Sequence, residues 1–239
     1  MPGGPSEAPP PGGREAAEVE RAIAPRVLLR PIGNPLPLGL LGLTAATLSM
    51  GALDLGWVPA SEQHQIALVL IAFAFRSQAT ATVFGFLARA AVVASGVGVQ
   101  AAAWFTTGLI LLTTPPGRED QALSFFLLVA AGALLSAVFV AVQAKVIPAL
   151  VMAGTVARFA LTGLAERFGS TTWAHVSGWE GIALACLALY TAVTVDLESS
   201  KRKPVRPLLR QGHGLRAVTG DSYAQIAGVE HEAGVREEL

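Results

Sequence analysis

IALVLIAFAFRSQATATVFGFLAR (residues 66–89) runs directly into AAVVASGVGVQAAAWFTTGLILL (residues 90–112), and only Arg76 and Arg89 bring charge into the run. A membrane span needs about 20 apolar residues to cross a hydrocarbon core of about 30 Å. At about 1.5 Å per residue this run is roughly twice that thickness. It therefore crosses, turns at Arg89 near its midpoint, and crosses back.

The same reading extends in both directions. Residues 36–55 form a first span that ends at Asp54 and Trp57. Residues 113–120, Thr-Thr-Pro-Pro-Gly-Arg-Glu-Asp, are a loop. Residues 122–144 form a fourth span closed by Lys145. Pro148 opens a fifth, since proline is tolerated in a first helical turn, and it reaches about Leu164. Residues 166–177 are polar, and residues 178–195 form a sixth span. The fold class is an all-α membrane protein of six transmembrane helices.

Composition agrees. Of 239 residues 52% are hydrophobic and only 14% charged, against about 25% charged in an ordinary soluble domain. The 17 Lys and Arg balance 17 Asp and Glu, so no basic surplus points to nucleic acid. A lone cysteine, Cys186, excludes an internal disulfide and reads as a packed hydrophobe.

Three regions follow. Residues 1–33, rich in Pro and Gly, are expected to be a disordered tail without a signal peptide. Residues 34–197 are the six-helix domain, and residues 198–239 a second polar tail. Arg21, Arg26, Arg30, Arg89, Lys145, Lys201, Arg202, Lys203, Arg206 and Arg210 fall on the side of the tails, with only Arg118 and Arg167 opposite. The positive-inside rule then places both termini in the cytoplasm. The basic stretch from Lys201 to Arg210 is the ordinary inner flank and also suits anionic lipid headgroups. Trp57, Trp173 and Trp179 suit an outer aromatic belt, while Trp104 lies deeper.

Small residues recur every four positions: Ala90, Ala94, Gly98 and Ala102, then Ala133, Ala137 and Ala141. Such stripes let membrane helices approach closely. They imply a tight bundle or oligomer.

No enzyme is indicated. No acidic residue occurs between Glu62 and Glu119, or between Asp120 and Glu166, so no carboxylate pair is expected inside the bundle. The 4 histidines form no metal-ligand spacing, and neither metal nor cofactor is expected. Two arginines stand out instead. Arg76 and Arg158 lie within spans, where a charge costs about 2.5–3.5 kcal/mol on insertion scales and so faces a partner or a wet cavity. With carboxylates expected only at the outer span ends, either they snorkel or bond backbone carbonyls, or they attract an anion. Gln78, Thr80, Thr82, Ser95, Gln100, Thr155 and Thr162 add polar groups along the spans. Arg76 and Thr80 share one helix face, Gln78 and Thr82 an adjacent one.

The first span opens with Asn34-Pro35-Leu36-Pro37-Leu38-Gly39-Leu40. Asn34 suits an N-cap and Pro35 the first helical position. The free N–H groups of Leu36 and Leu38 then form a weak positive pole for an anion, and Gly39 admits a second backbone.

This heptapeptide, followed by six spans, resembles the signature Asn-Pro-Ala-Pro-Leu-Gly-Leu of the acetate uptake transporter family; Leu36 alone departs from it. Gln78, Trp104, the run His175-Val-Ser-Gly-Trp179, and Tyr190 match further features in order. The resemblance implies a ring-like homo-oligomer, a hexamer, in the plasma (inner) membrane, each protomer conducting small monocarboxylates such as acetate or succinate as a channel or with protons. It places Asn34, Pro35, Pro37, Leu38, Gly39 and Leu40 beside the pathway, with Gln78 and Trp104. The family narrows its pathway with an aromatic shortly after the signature, where this chain has Leu43, and with a third-helix Tyr, where it has Gln100. Its Phe-Tyr-Gly-Gly before the second-helix Gln is replaced at residues 74–77, and its Asn-Thr-Phe-Gly after that helix is missing. These changes predict a wetter or wider narrowing and looser size selection. Two other readings stand beside transport of carboxylates: a membrane scaffold or sensor that kept the fold, and passage of ammonia or ammonium.

Overall fold

The computed structural model describes residues 33–201 except 89 and 143–145. The expectations for the tails, the turn at Arg89, the end at Lys145 and the basic flank beyond Lys201 lie outside the described residues.

Six helices are long and apolar enough to cross a membrane, and no strand occurs among the described residues. We number them α1 (Leu36–Asp54), α2 (Ala60–Leu87), α3 (Ala91–Thr113), α4 (Gln121–Ala141), α5 (Val146–Phe168) and α6 (Thr171–Lys201). Each follows from an apolar stretch whose backbone must satisfy its own hydrogen bonds in lipid. Short connections reverse the chain each time. Every helix packs on its neighbours in sequence, and α6 returns to lie along α1. The result is a closed ring of six.

Two boundaries differ from expectation. The polar stretch 166–177 is helical apart from a turn at Gly169 and Ser170, because Gly169 takes the left-handed φ of 57° that reverses the chain in so few residues. α6 consequently starts earlier and has 31 residues, whereas α1 has only 19. Glu166 remains useful in this corner, accepting the Asp120 N–H at 2.8 Å while the Asp120 side chain caps α4 through Leu123 N–H.

Glycines set the approach of α1 to its neighbours. A Cβ on Gly42 would stand 3.0 Å from Ser77 Cβ and 3.1 Å from the Ala74 carbonyl. The α2 backbone beside it is a π-helical segment, Leu70–Phe75, directly before Arg76. On the exposed end, Gln63 ties α2 to the following loop: its Nε2 donates to the carbonyls of Leu111 and Thr114, and its Oε1 accepts from Gly117 N–H.

Threonines are accommodated locally. Thr82, Thr155 and Thr162 each donate to the carbonyl four residues earlier, which satisfies a hydroxyl without water.

Candidate pathway through the helical ring

A cavity of about 50 Å³ opens the ring interior at one end. Leu36, Gly39, Leu40 and Leu43 of α1 line it with Val93, Val97 and Gln100 of α3 and Pro148, Val151 and Met152 of α5. A single water needs on the order of 10–15 Å³ of such space, so a molecule of a few heavy atoms fits. Its walls are apolar except at Gln100. Leu36, Val93 and Pro148 stand in the first turns of α1, α3 and α5. Three helix N-termini therefore converge at this mouth beside the C-terminal residue of α4, Ala141, so three positive dipole ends face one negative end, a balance that favours an anion.

The cavity ends on a pair of amides. Gln78 Nε2 donates to Gln100 Oε1 at 3.0 Å and to the Gly39 carbonyl at 3.4 Å. Gln100 Nε2 reaches Met152 Sδ at 3.1 Å. The two glutamines are 0% and 2% exposed. Gly39 permits the arrangement, since a Cβ there would meet Ala81 at 3.2 Å and Val97 at 3.3 Å. Leu43 is buried at the same depth. The replacements at Leu43 and Gln100 do not leave an open hole in this state, because Gln100 is held across the interior from α2 to α5.

Beyond the amides, polar atoms continue without partners. Gln78 Oε1, Trp104 Nε1 and Thr107 Oγ1 are buried and make no hydrogen bond. Gln100, Trp104 and Thr107 follow one face of α3 at helical spacing. A buried polar atom left unpaired costs about 1–3 kcal/mol; of the three, two lie on this face of α3 and one on α2. Trp104 packs edge-on against Phe159 at 5.1 Å, closing the ring above the cavity.

Several expectations need correction. The helix starts at Leu36 with Pro35 as its N-cap residue, one position later than expected, although Pro35 already has helical φ and ψ and its carbonyl accepts the Gly39 N–H at 3.4 Å. Asn34 Oδ1 instead accepts the Leu36 N–H at 3.1 Å, so that N–H is not free for an anion. Pro37, Gly39 and Leu40 are buried, but Leu38 is 40% exposed and points away from the interior.

The arginines divide. Arg76 is exposed on the outer side of the protomer, as is Thr80, while Gln78 is buried; Arg76 does not line the cavity, so the expectation that it attracts an anion there is corrected. Arg158 is 0% exposed and fully engaged at both terminal nitrogens. Its Nη2 pairs with Asp54 Oδ2 at 2.7 Å. Its Nη1 donates to Ser177 Oγ at 2.9 Å and to the Ser177 carbonyl. Of its alternatives Arg158 takes the first: it reaches a carboxylate at an outer span end and a backbone carbonyl, and has no free charge for an anion. The short α1 ends below the tip of the long α6, which brings Asp54 and Ser177 down to Arg158. Gly181 makes room, since a Cβ there would lie 2.8 Å from Nη1.

Ser177 and its neighbour Gly178, which packs on Leu55 and Asp54, sit in the motif His175-Val-Ser-Gly-Trp179. Sequence reading missed their role; the polar-small pair inside an apolar flank was the available signal. At the same end Trp57 and Trp179, both exposed, meet edge-to-face at 5.7 Å, as an outer belt would require.

No protein-family model matches the chain, and no curated protein sequence matches it. Among solved structures it is similar to the bacterial acetate channel SatP, with a TM-score of 0.67 at 21% sequence identity, covering 74% of this chain and 99% of that one. The likeness establishes the fold: six membrane-crossing helices arranged as in a membrane channel, hence a multi-pass membrane protein.

Proposed function

We propose that this protein passes small monocarboxylates across the plasma (inner) membrane through the ring interior of each protomer, as a channel or with protons. One observation carries the reading: an apolar cavity, entered past three helix N-termini, ends on the buried Gln78–Gln100 pair, beyond which unpartnered polar atoms continue along α3. The dipoles concentrate the anion, the amides donate to its carboxylate, and Leu40, Leu43 and Val97 contact its short alkyl end. Arg158, already paired, supplies no free charge to the solute.

The cavity suits an acetate-sized acid, and the flexible Leu43 and Gln100 in place of rings support looser size selection than acetate alone. The fold shared with an acetate channel supports the substrate class. Both termini lie in the cytoplasm, on the side of the cavity mouth. Arg76 stands mid-span on an exposed face beside Phe73 and Phe84; an uncovered charge there is costly, which favours a ring-like homo-oligomer, a hexamer, whose neighbouring protomer covers it.

The test is counterflow of labelled acetate in proteoliposomes, with a series of longer carboxylates as competitors. The reading requires protein-dependent exchange that falls with Gln100→Leu. A scaffold or an ammonia pathway shows no acetate exchange.

A further inference from the structure

Two carboxylates, Asp54 and Glu180, lie near the Arg158 guanidinium in the outer half of the ring. Asp54 occupies Arg158 Nη2, and Ser177 occupies Nη1. Glu180 of α6 is the chain neighbour of Gly181, where a Cβ would stand 2.8 Å from Arg158 Nη1. It is within electrostatic reach of Arg158, and its Oε1 lies 3.5 Å from where a Cβ on Gly154 would stand, one turn before Arg158 on α5. Its Oε2 is buried without a hydrogen-bond partner, and so is Arg158 Nε. Counting from the start of α6 at about 1.5 Å per residue, Glu180 sits roughly 14 Å along the helix, near the middle of a core of about 30 Å.

We infer that Glu180, with the Arg158–Asp54 pair, forms a proton-binding site that couples carboxylate passage to proton uptake. The inference rests on the transport reading above and assigns its coupling group. One cation neutralises one carboxylate, so an ionised Glu180 leaves a surplus negative charge in a low-dielectric interior, where such a charge is costly. A proton from the aqueous phase, added to Oε2, removes that charge and gives the orphaned atom a hydrogen to donate. Its loss restores the surplus and makes Glu180 compete with Asp54 for the guanidinium. Asp54 is the last residue of α1, so that competition acts on the contact holding α1 to α5 and α6 at the closed end of the ring. The site is in this way placed to link protonation to opening.

The charged groups facing it are few. Arg158 of α5 is the one that acts on Glu180. Asp54 of α1 lies beyond that guanidinium, with His175 of α6 and Glu166 of α5 in reach of Asp54.

Two measurements on the full-length protein test the proposal. The first is infrared difference titration in lipid: one protonated-carboxyl component is expected in the parent, in Asp54→Asn and in Glu166→Gln alike, and that component is absent in Glu180→Gln. The second uses proteoliposomes with a proton gradient, read above protein-free vesicles. Glu180→Gln lowers gradient-driven accumulation per folded protomer to the protein-free level, whereas Glu62→Gln, exposed at the start of α2, accumulates as the parent does. A carboxyl band in Glu180→Gln equal to the parent's, or gradient-driven accumulation equal to the parent's, overturns the proposal. Absence of counterflow in the parent defeats the transport reading, and the infrared titration still decides whether Glu180 binds a proton.

Discussion

Arg158 Nη2 lies 2.7 Å from Asp54 Oδ2, an ion pair between residues 104 positions apart that joins the end of α1 to the middle of α5. With Ser177 on Nη1, it fastens three helices through one side chain. Breaking a buried pair from one side leaves an uncompensated charge and costs about 3–5 kcal/mol, whereas replacing both partners is far milder. Arg158→Met is therefore expected to lower the thermal unfolding midpoint sharply in detergent, and Asp54→Asn with Arg158→Met to recover most of the loss. Equal melting of the single and double variants contradicts this account of the pair.

Gly181 is expected to tolerate no side chain. A Cβ there stands 2.8 Å from Arg158 Nη1 and 3.0 Å from the Thr47 carbonyl, and backbone cannot yield as a flexible tip can. Overpacking of this kind costs about 1–3 kcal/mol. Gly181→Ala should lower the unfolding midpoint, while Gly132→Ala, where nothing lies within 4 Å, should leave it unchanged.

Gln63 anchors the loop after α3 through Leu111, Thr114 and Gly117. Gln63→Ala strands these partners, at about 1–3 kcal/mol for those that water cannot reach. Faster proteolysis or amide exchange at residues 114–118 is the expected readout, with the ring helices unaffected.

Arg76 faces outward, so Arg76→Gln should leave acetate exchange per folded protomer within about twofold, a change in barrier of roughly 0.4 kcal/mol. A larger loss, with assembly unchanged, would return Arg76 to the conduction path.

The spans were legible because hydrocarbon thickness sets helix length, and the uninterrupted residues 66–112 could satisfy it only by crossing twice. That Arg76 and Gln78 stand on different faces of α2 was legible from helical spacing, but that Arg76 faces outward was not, since a charge within a span suggested the interior. The Asp54–Arg158 pair was not. Hydropathy carries no information on how far one helix ends below another, and here the difference between a 19-residue α1 and a 31-residue α6 decides which groups meet. The joint role of Gln78 and Gln100 was half visible: each appeared as a polar residue on an interior face, but their contact depends on Gly39 admitting α2 and α3 at once.

Acetate counterflow in proteoliposomes, comparing the parent with Gln100→Leu, tests the central claim most directly. Losing the amide that ends the cavity removes a buried hydrogen-bonding group, about 1–3 kcal/mol. Exchange per folded protomer is expected to fall on the order of tenfold, with a lowered unfolding midpoint because Gln78 Nε2 loses its buried acceptor. Exchange at the parental rate in Gln100→Leu would mean that the solute does not pass between these helices.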